Sequence, residues 1–403
     1  MKTTHGQITY CTNIHSGESW ADHFEQIRQN FPAIKNSLSP HEPMGMGLRL
    51  SNKASIELSD PYQLDLFKEW LHENNAYVFT MNGFPYGGFH DTIVKDQVHA
   101  PDWLTEDRVD YTIRLFNILA ELLPGGMDGG VSTSPLSYKH WFNTPNHLLN
   151  GIVKATENIV TIARHLVDIH ATTGKLLHLD IEPEPDGVLE TGREFLDWYE
   201  EDLLTIGVHH LATTFSVTEL EAEKMLKDHI GICYDVCHFA IGYEEHSKVL
   251  HELQSKGIRI GKFQISAALK AGMDSNQQVR QKTIGAFASF NEPTYLHQVI
   301  ARTKHHDLLR YKDLPEALQD ATNHDVTEWR AHYHVPIFEE NFGLLQSTQS
   351  DIVQVLHLHK AQPLTHHLEI ETYTWDVLPA SLKLPIQQSI IREMRWLLDT
   401  LQG

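Results

Sequence analysis

The chain is poor in cysteine, in positive charge and in long apolar runs. Only Cys11, Cys233 and Cys237 occur in 403 residues. An odd count without a repeated CxxC excludes a disulfide framework and a cysteine-rich zinc site. Reduced thiols are the expectation for a cytoplasmic protein. Lys and Arg number 32 against 53 Asp and Glu, a formal charge of −21. Such a field repels nucleic acid and anionic membrane, so neither is an expected partner. No segment reaches the ~18 apolar residues that span a bilayer, and MKTTHGQITYCTNIH at the N-terminus lacks the apolar run of a secretory signal. A glycine-rich phosphate turn is missing too, since neither GxGxxG nor GxxxxGK[ST] occurs. That counts against an open doubly wound sheet, which usually carries one after its first strand.

Histidine is the abundant residue, with 28 copies, most of them expected at the surface or in caps. Short apolar runs alternate with longer amphipathic stretches. Strands are predicted at Ile8–His15, Met46–Ser51, YVFTMNGFP, Gly129–Pro135, LLHLDIEPEP, IGICYDVCH, IRIGKFQIS and HHLEIETYTW. Helical sequence follows each. The clearest signals are the Asp60-Pro61 start, the span from Thr144-Pro145 to Gly174, capping boxes at Thr191–Glu194 and Ser216–Glu219, and a closing stripe through Ile386, Ile390, Leu397 and Leu401. Eight such units predict an α/β fold, a (β/α)8 TIM barrel forming one domain over residues 1–403. Residues 269–365, between strands seven and eight, depart from the repeat. They are expected to form an insertion at the catalytic mouth, placed as a lid and including the β-like EWRAHYHVPIF.

Active sites of such barrels lie at the C-terminal strand ends. There, strand five offers Asp180, Glu182 and Glu184 on one face, and GICYDVCHFA brings Asp235 and His238 from strand six. Strand seven offers Lys262, Gln264 and Ser266; strand eight offers His367, Glu369 and Glu371. Neighbouring strands are about 4.8 Å apart, so these side chains can converge. Carboxylates gathered in a water-poor mouth repel, and a divalent cation removes that cost. Oxygen donors with an amide suit Mn2+ or Mg2+; recruiting histidine shifts the preference to Zn2+, Co2+ or Fe2+. In HYHVP, His332 and His334 are two apart, so on a strand both rings point one way. A second metal, a substrate contact and packing under the insertion all stay open. Asn82, His15 and His90 are further candidates for the mouth, with Phe84, Phe89, Phe290, Tyr373 and Trp375 as aromatic wall or packing.

IEPEPDG, YDVCHFA, KFQIS and LEIETYTW, in that order, resemble the xylose isomerase-like TIM-barrel superfamily of sugar-phosphate isomerases and epimerases. Within it, YCTNIHSGESW, HYHVP and the long insertion look most like the metabolite traffic protein EboE family, named for moving a secondary-metabolite precursor. The resemblance implies a divalent metal held by Glu182, Asp235, Gln264 and Glu371 or Glu369. Gln264 stands where histidine is commoner, and Glu371 is the glutamate nearer the strand tip. It implies a substrate contact at His238, and substrate contacts are also expected at His332, His334, Asn82 and His15. Glu182 and Glu371 are the implied acid–base pair for proton transfer α to a carbonyl, with His238 orienting a hydroxyl.

The expected function is therefore a metal-dependent isomerase or epimerase, or related lyase, acting on a small hydroxylated metabolite. A carrier that kept the barrel but lost turnover is the alternative. An endonuclease IV-like phosphodiesterase also shares such His motifs, but the net charge opposes it.

Overall fold

Eight parallel strands run in order around the molecule: β1 (Gly6–Tyr10), β2 (Met44–Arg49), β3 (Ala76–Asn82), β4 (Gly129–Thr133), β5 (Leu177–Ile181), β6 (Ile230–Asp235), β7 (Ile260–Ile265) and, much later, His367–Ile370. The computed structural model describes residues 1–88, 93–376, 378 and 385–402. Phe89 and His90 lie outside the described residues. The last strand pairs in parallel with both β1 and β7, so the sheet curls back toward its start. The short strand Lys2–Thr3 adds an antiparallel flap beside β1. No helix among the described residues is long and apolar enough to cross a membrane.

The seam between β1 and β2 is closed by side chains. One parallel bridge joins Cys11 to Gly47. Thr9 Oγ1 donates to Gly45 O and accepts from Gly47 N, both at 3.0 Å, and Thr12 Oγ1 accepts from Arg49 N at 2.8 Å. Hydroxyls thus replace missing ladder bonds, satisfying backbone groups that burial would otherwise leave unpaired.

Strand alternation decides what enters the barrel. Leu177, Leu179 and Ile181 of β5 are buried in the hydrophobic core, while His178 and Asp180 point inward. The interior is unusually polar for a TIM barrel, whose layers are commonly branched aliphatics. Glycines make room for it. A Cβ on Gly261 would come within 1.7 Å of Asp180 Oδ1, and one on Gly47 within 1.9 Å of Glu369 Oε1.

Local signals set most helix ends. Asp60 caps Pro61–Glu73, and Thr144 caps Pro145–Thr173, which Gly174 ends at φ 70°. The Thr191–Glu194 capping box forms. The next box does not form at Ser216–Glu219. Helix Leu204–Phe215 runs on until Ser216 ends it in left-handed backbone at φ 53°, so the box moves to Thr218–Glu221. Strand one also stops early, at Tyr10, because Thr12–Ile14 turns into a 3-10 helix.

After β7 the chain leaves the barrel. β8 (Ala267–Gly272), β9 (Val299–Thr303), β10 (Leu308–Tyr311), β11 (Val326–Val335), β12 (Asn341–Phe342) and β13 (Leu345–Ser347) form a second, antiparallel sheet, ordered β10-β9-β11-β8-β13-β12. The Gln-rich SNQQVRQK runs into helix Gln277–Ala288, capped by Asn276. The sheet ends at Ser347. Helix Gln349–Ala361 then rejoins the barrel wall against helices His246–Ser255 and Ile386–Gln402, and β14 (His367–Ile370) completes the barrel.

Candidate metal centre

The inward side chains fall into tiers. At the N-terminal end, His178 Nδ1 shares its proton with Asp180 at 2.8 Å, and Asp128 faces His178, His367 and Arg259. Asp128, His178 and His367 cluster closely enough to suit a cation, but the Arg259 guanidinium, 3.3 Å from Asp128, already supplies positive charge. In the middle, Lys262 Nζ donates to Glu369 Oε2 at 2.7 Å and to Met81 O at 3.0 Å. Glu369 is therefore committed to a lysine below the mouth.

The upper tier gathers Glu182, Asp235 and Glu371, whose ligand oxygens lie within 4.8 Å of one another. Their exposures are 3%, 0% and 4%, so water cannot screen them. Burial first, then Glu371 and Asp235, pushes the Glu182 carboxyl well up; burial first, then Asp235 and Glu369, does the same to Glu371. The surrounding donors leave specific atoms open. Asp235 Oδ1 accepts from Ser266 Oγ at 2.6 Å and from His238 N at 3.2 Å, because Asp235 caps the short helix Val236–Ile241. Glu371 Oε1 accepts from Asn13 Nδ2 at 2.8 Å and Asn82 Nδ2 at 2.7 Å. Asp235 Oδ2 and Glu182 Oε2 remain buried without a hydrogen-bond partner. So does His334 Nε2, 4.0 Å from Asp235 Oδ2, while its Nδ1 donates to Glu371 O at 2.8 Å. Two orphaned carboxylate oxygens, one of them facing an imidazole lone pair, form a donor set that a divalent cation satisfies.

Gln264 also faces inward, beside Asp235 and Glu369 in register. Its Oε1 accepts the Cys233 thiol at 3.0 Å, so binding a cation there would require exchanging that bond. Of the two glutamates near the end of strand eight, Glu371 joins the upper tier and Glu369 does not.

His238 sits in the helical turn after β6, with Nδ1 donating to Pro183 O at 3.0 Å and Nε2 3.1 Å from His332 Nε2. Burial, then His334, pulls the His238 pKa well down; burial, then His238 and His334, does so for His332. His332 and His334 come from β11, where the ladder with β8 is interrupted between Ala331 and Val335. Their rings therefore leave the second sheet and enter the barrel mouth. Glu182, His238, His332, His334, Glu371 and Asn82 all border one pocket.

His15 is placed elsewhere: Nε2 bonds the Tyr10 hydroxyl at 3.1 Å, and the residue does not line that pocket. Asn13, two residues earlier, reaches Glu371 instead. The 3-10 turn after β1 causes the exchange, and no period-2 pattern could reveal it. Phe84 and Tyr373 line the pocket, joined by Tyr295, whereas Phe290 packs on Tyr333 and Trp375 on Phe338. Sequence reasoning also missed His99, 2.9 Å from Glu184, and Gln298, which holds His332.

No family model matches the chain, and no curated protein matches it by sequence. Solved structures do. A xylose isomerase-like TIM barrel protein from Mycobacterium smegmatis, in complex with magnesium, is similar with TM-score 0.51 at 10% identity, over 100% of this chain and 98% of that chain. IolI protein with a zinc atom aligns at TM-score 0.45 and 10% identity, over 98% of each chain. A D-tagatose 3-epimerase-like protein aligns at 0.47 and 11%, over 98% of this chain and 97% of that one. The first of these likenesses shows the fold alone, a TIM barrel.

Proposed function

We propose that the protein is a metal-dependent isomerase or epimerase of a small hydroxylated metabolite, of the kind the EboE resemblance associates with secondary-metabolite precursors. The observation that carries this reading is the upper tier, where Glu182, just past the end of β5, shares a cluster with Asp235 of β6 and Glu371. Glu182 Oε2 and Asp235 Oδ2 are buried and unpartnered, and His334 Nε2 of β11, also unpartnered, lies 4.0 Å from Asp235 Oδ2. Glu182, Asp235 and Glu371 would hold the ion, with His334 in reach; Gln264 is held in reserve by Cys233. A divalent ion there supplies Lewis acidity toward a carbonyl and its neighbouring hydroxyl.

The chain's own groups do the rest. Glu182 has an oxygen without a donor, and its burial raises its affinity for a proton, as a base that must take one from carbon requires. It takes the proton α to the carbonyl. Glu371, separated from it by two strands, returns a proton from another side, and Asn13 and Asn82 fix its orientation. His238 faces the same pocket and positions a substrate hydroxyl. The second sheet, bringing His332 and His334 across the mouth, serves as a lid that keeps water from the intermediate.

Proton exchange tests the reading. A panel of ketoses and hydroxylated cyclic ketones, incubated with the protein in deuterium oxide, should include a compound whose α-proton exchanges. Exchange should cease with Glu182→Gln and after chelation. Tight metabolite binding with no exchange across the panel would make the protein a carrier instead.

A further inference from the structure

We propose that the barrel mouth binds a second divalent cation, held by His238 Nε2, His332 Nε2 and a carboxylate oxygen of Glu184. These three residues are buried and distinct from Glu182, Asp235 and Glu371, and their ligand atoms lie within 4.8 Å of one another.

The argument is one of tautomers. His238 Nδ1 faces Pro183 O, which can only accept, so that nitrogen carries the proton and Nε2 carries a lone pair. Gln298 Nε2 donates to Pro185 O at 3.0 Å, which fixes its amide with Oε1 toward His332 Nδ1, 2.8 Å away. His332 Nδ1 must therefore donate, and its Nε2 also carries a lone pair. The two Nε2 atoms are 3.1 Å apart. Two lone pairs at that distance repel unless something positive lies between them. Two imidazoles on one Zn2+ at about 2.0–2.1 Å, near tetrahedral, would stand about 3.3 Å apart, so the observed gap fits an edge of a coordination shell. Both rings have their outer nitrogens pinned by oxygen acceptors, the usual support of metal-bound histidine.

Glu184 brings the negative charge. Its Oε1 is buried and makes no hydrogen bond, although His99 Nε2 is 2.9 Å away. Two imidazoles and a carboxylate suit Zn2+, Co2+ or Fe2+ better than Mg2+. Asp235 Oδ2, 3.9 Å from His238 Nε2, stands between this site and the carboxylate tier. Paired ions would bind two neighbouring oxygens of one substrate. The inference deepens the reading of the mouth as a metal centre, and His332 and His238 become ligands as well as substrate-facing groups.

Ion counting decides it. Purified protein, stripped and then reloaded with Zn2+ or Co2+, should bind two ions per chain by elemental analysis. His332→Gln should retain one ion and Glu371→Gln should retain the other. With Co2+, the visible absorption of the ion held by two imidazoles should survive in Glu371→Gln and be lost from the spectrum of His332→Gln. One ion per wild-type chain would overturn the proposal, since His238 and His332 would then share only a proton; that count needs no variant to fold. A full complement in His332→Gln would overturn it too. A wild-type count of two, with one ion lost in His332→Gln and both kept in Glu371→Gln, would uphold it and remove only Glu371 from the carboxylate site.

Discussion

At the scale of single residues, the mouth depends on how few donors each carboxylate receives. Asn82 and Asn13 both donate to Glu371 Oε1 and so fix its carboxylate beside Asp235 and Glu182. Asn82→Leu should weaken divalent-ion affinity by about 10–100-fold, the usual cost of losing an outer partner, as read by competition with a chelator; unchanged affinity would remove Asn82 from the centre. One tier lower, burial pulls the Lys262 ammonium down, but Glu369 and then Cys233 outweigh it and the net shift is upward. Lys262→Met leaves Glu369 buried and unpaired, and should destabilise the fold by about 3–5 kcal/mol in urea unfolding. Lys262→Met combined with Glu369→Met should recover most of that loss. A single variant as stable as the parent would show that the pair carries no such role.

At the scale of elements, two joints hold the architecture. Thr9 closes the β1–β2 seam through one hydroxyl, so Thr9→Val should cost about 1–3 kcal/mol by stranding buried backbone groups, and Thr9→Ser should cost much less. Equal losses would mean that packing, not the hydroxyl, closes the barrel. Helix Ile386–Gln402 presents Glu393, which accepts from Thr372 Oγ1 at 2.7 Å and Ile337 N at 3.2 Å. Burial raises its pKa to about 8. The folded chain then binds a proton that the unfolded chain releases near 4.5, so this group's contribution is fully present below 4.5 and is lost as pH rises through 8. Glu393→Gln should melt higher than the parent at pH 8.5 and nearly level with it at pH 4.5. The same melting gap at both would exclude the titration. Much of this scale was legible in sequence. Asp60, Thr144 and Thr191 mark helix starts because caps are local chemistry, and Glu182, Asp235 and Glu371 follow from strand period. Asn13 was hidden by a 3-10 turn and Ser216 by the length of the preceding helix. The partnership of Gln298 with His332 was hidden by pairing across a separate sheet. Only the last of these is decided by a tertiary contact.

For the whole molecule, a barrel interior filled with His, Asp, Lys and Glu is stable only if its charges are balanced. Arg259 and Lys262 each supply a cation to one of the two lower tiers. Among the described residues the upper tier carries three acidic groups and no such cation, and a bound ion would complete it. Without the ion, the raised pKa values of Glu182 and Glu371 mean the folded state keeps protons that the unfolded chain loses, so stability falls as pH rises above 4.5. The melting gap between loaded and stripped protein should widen from pH 5.5 to pH 8; a constant gap would contradict that balance. The central claim is that carboxylates from successive strands share one ion. Anomalous diffraction from crystals of the purified protein, soaked in Mn2+ or Zn2+, tests it directly. A peak about 2.0–2.3 Å from oxygens of Glu182, Asp235 and Glu371 is the expected result. Crystals that show no peak there, or a peak only at a distant surface site, would contradict it.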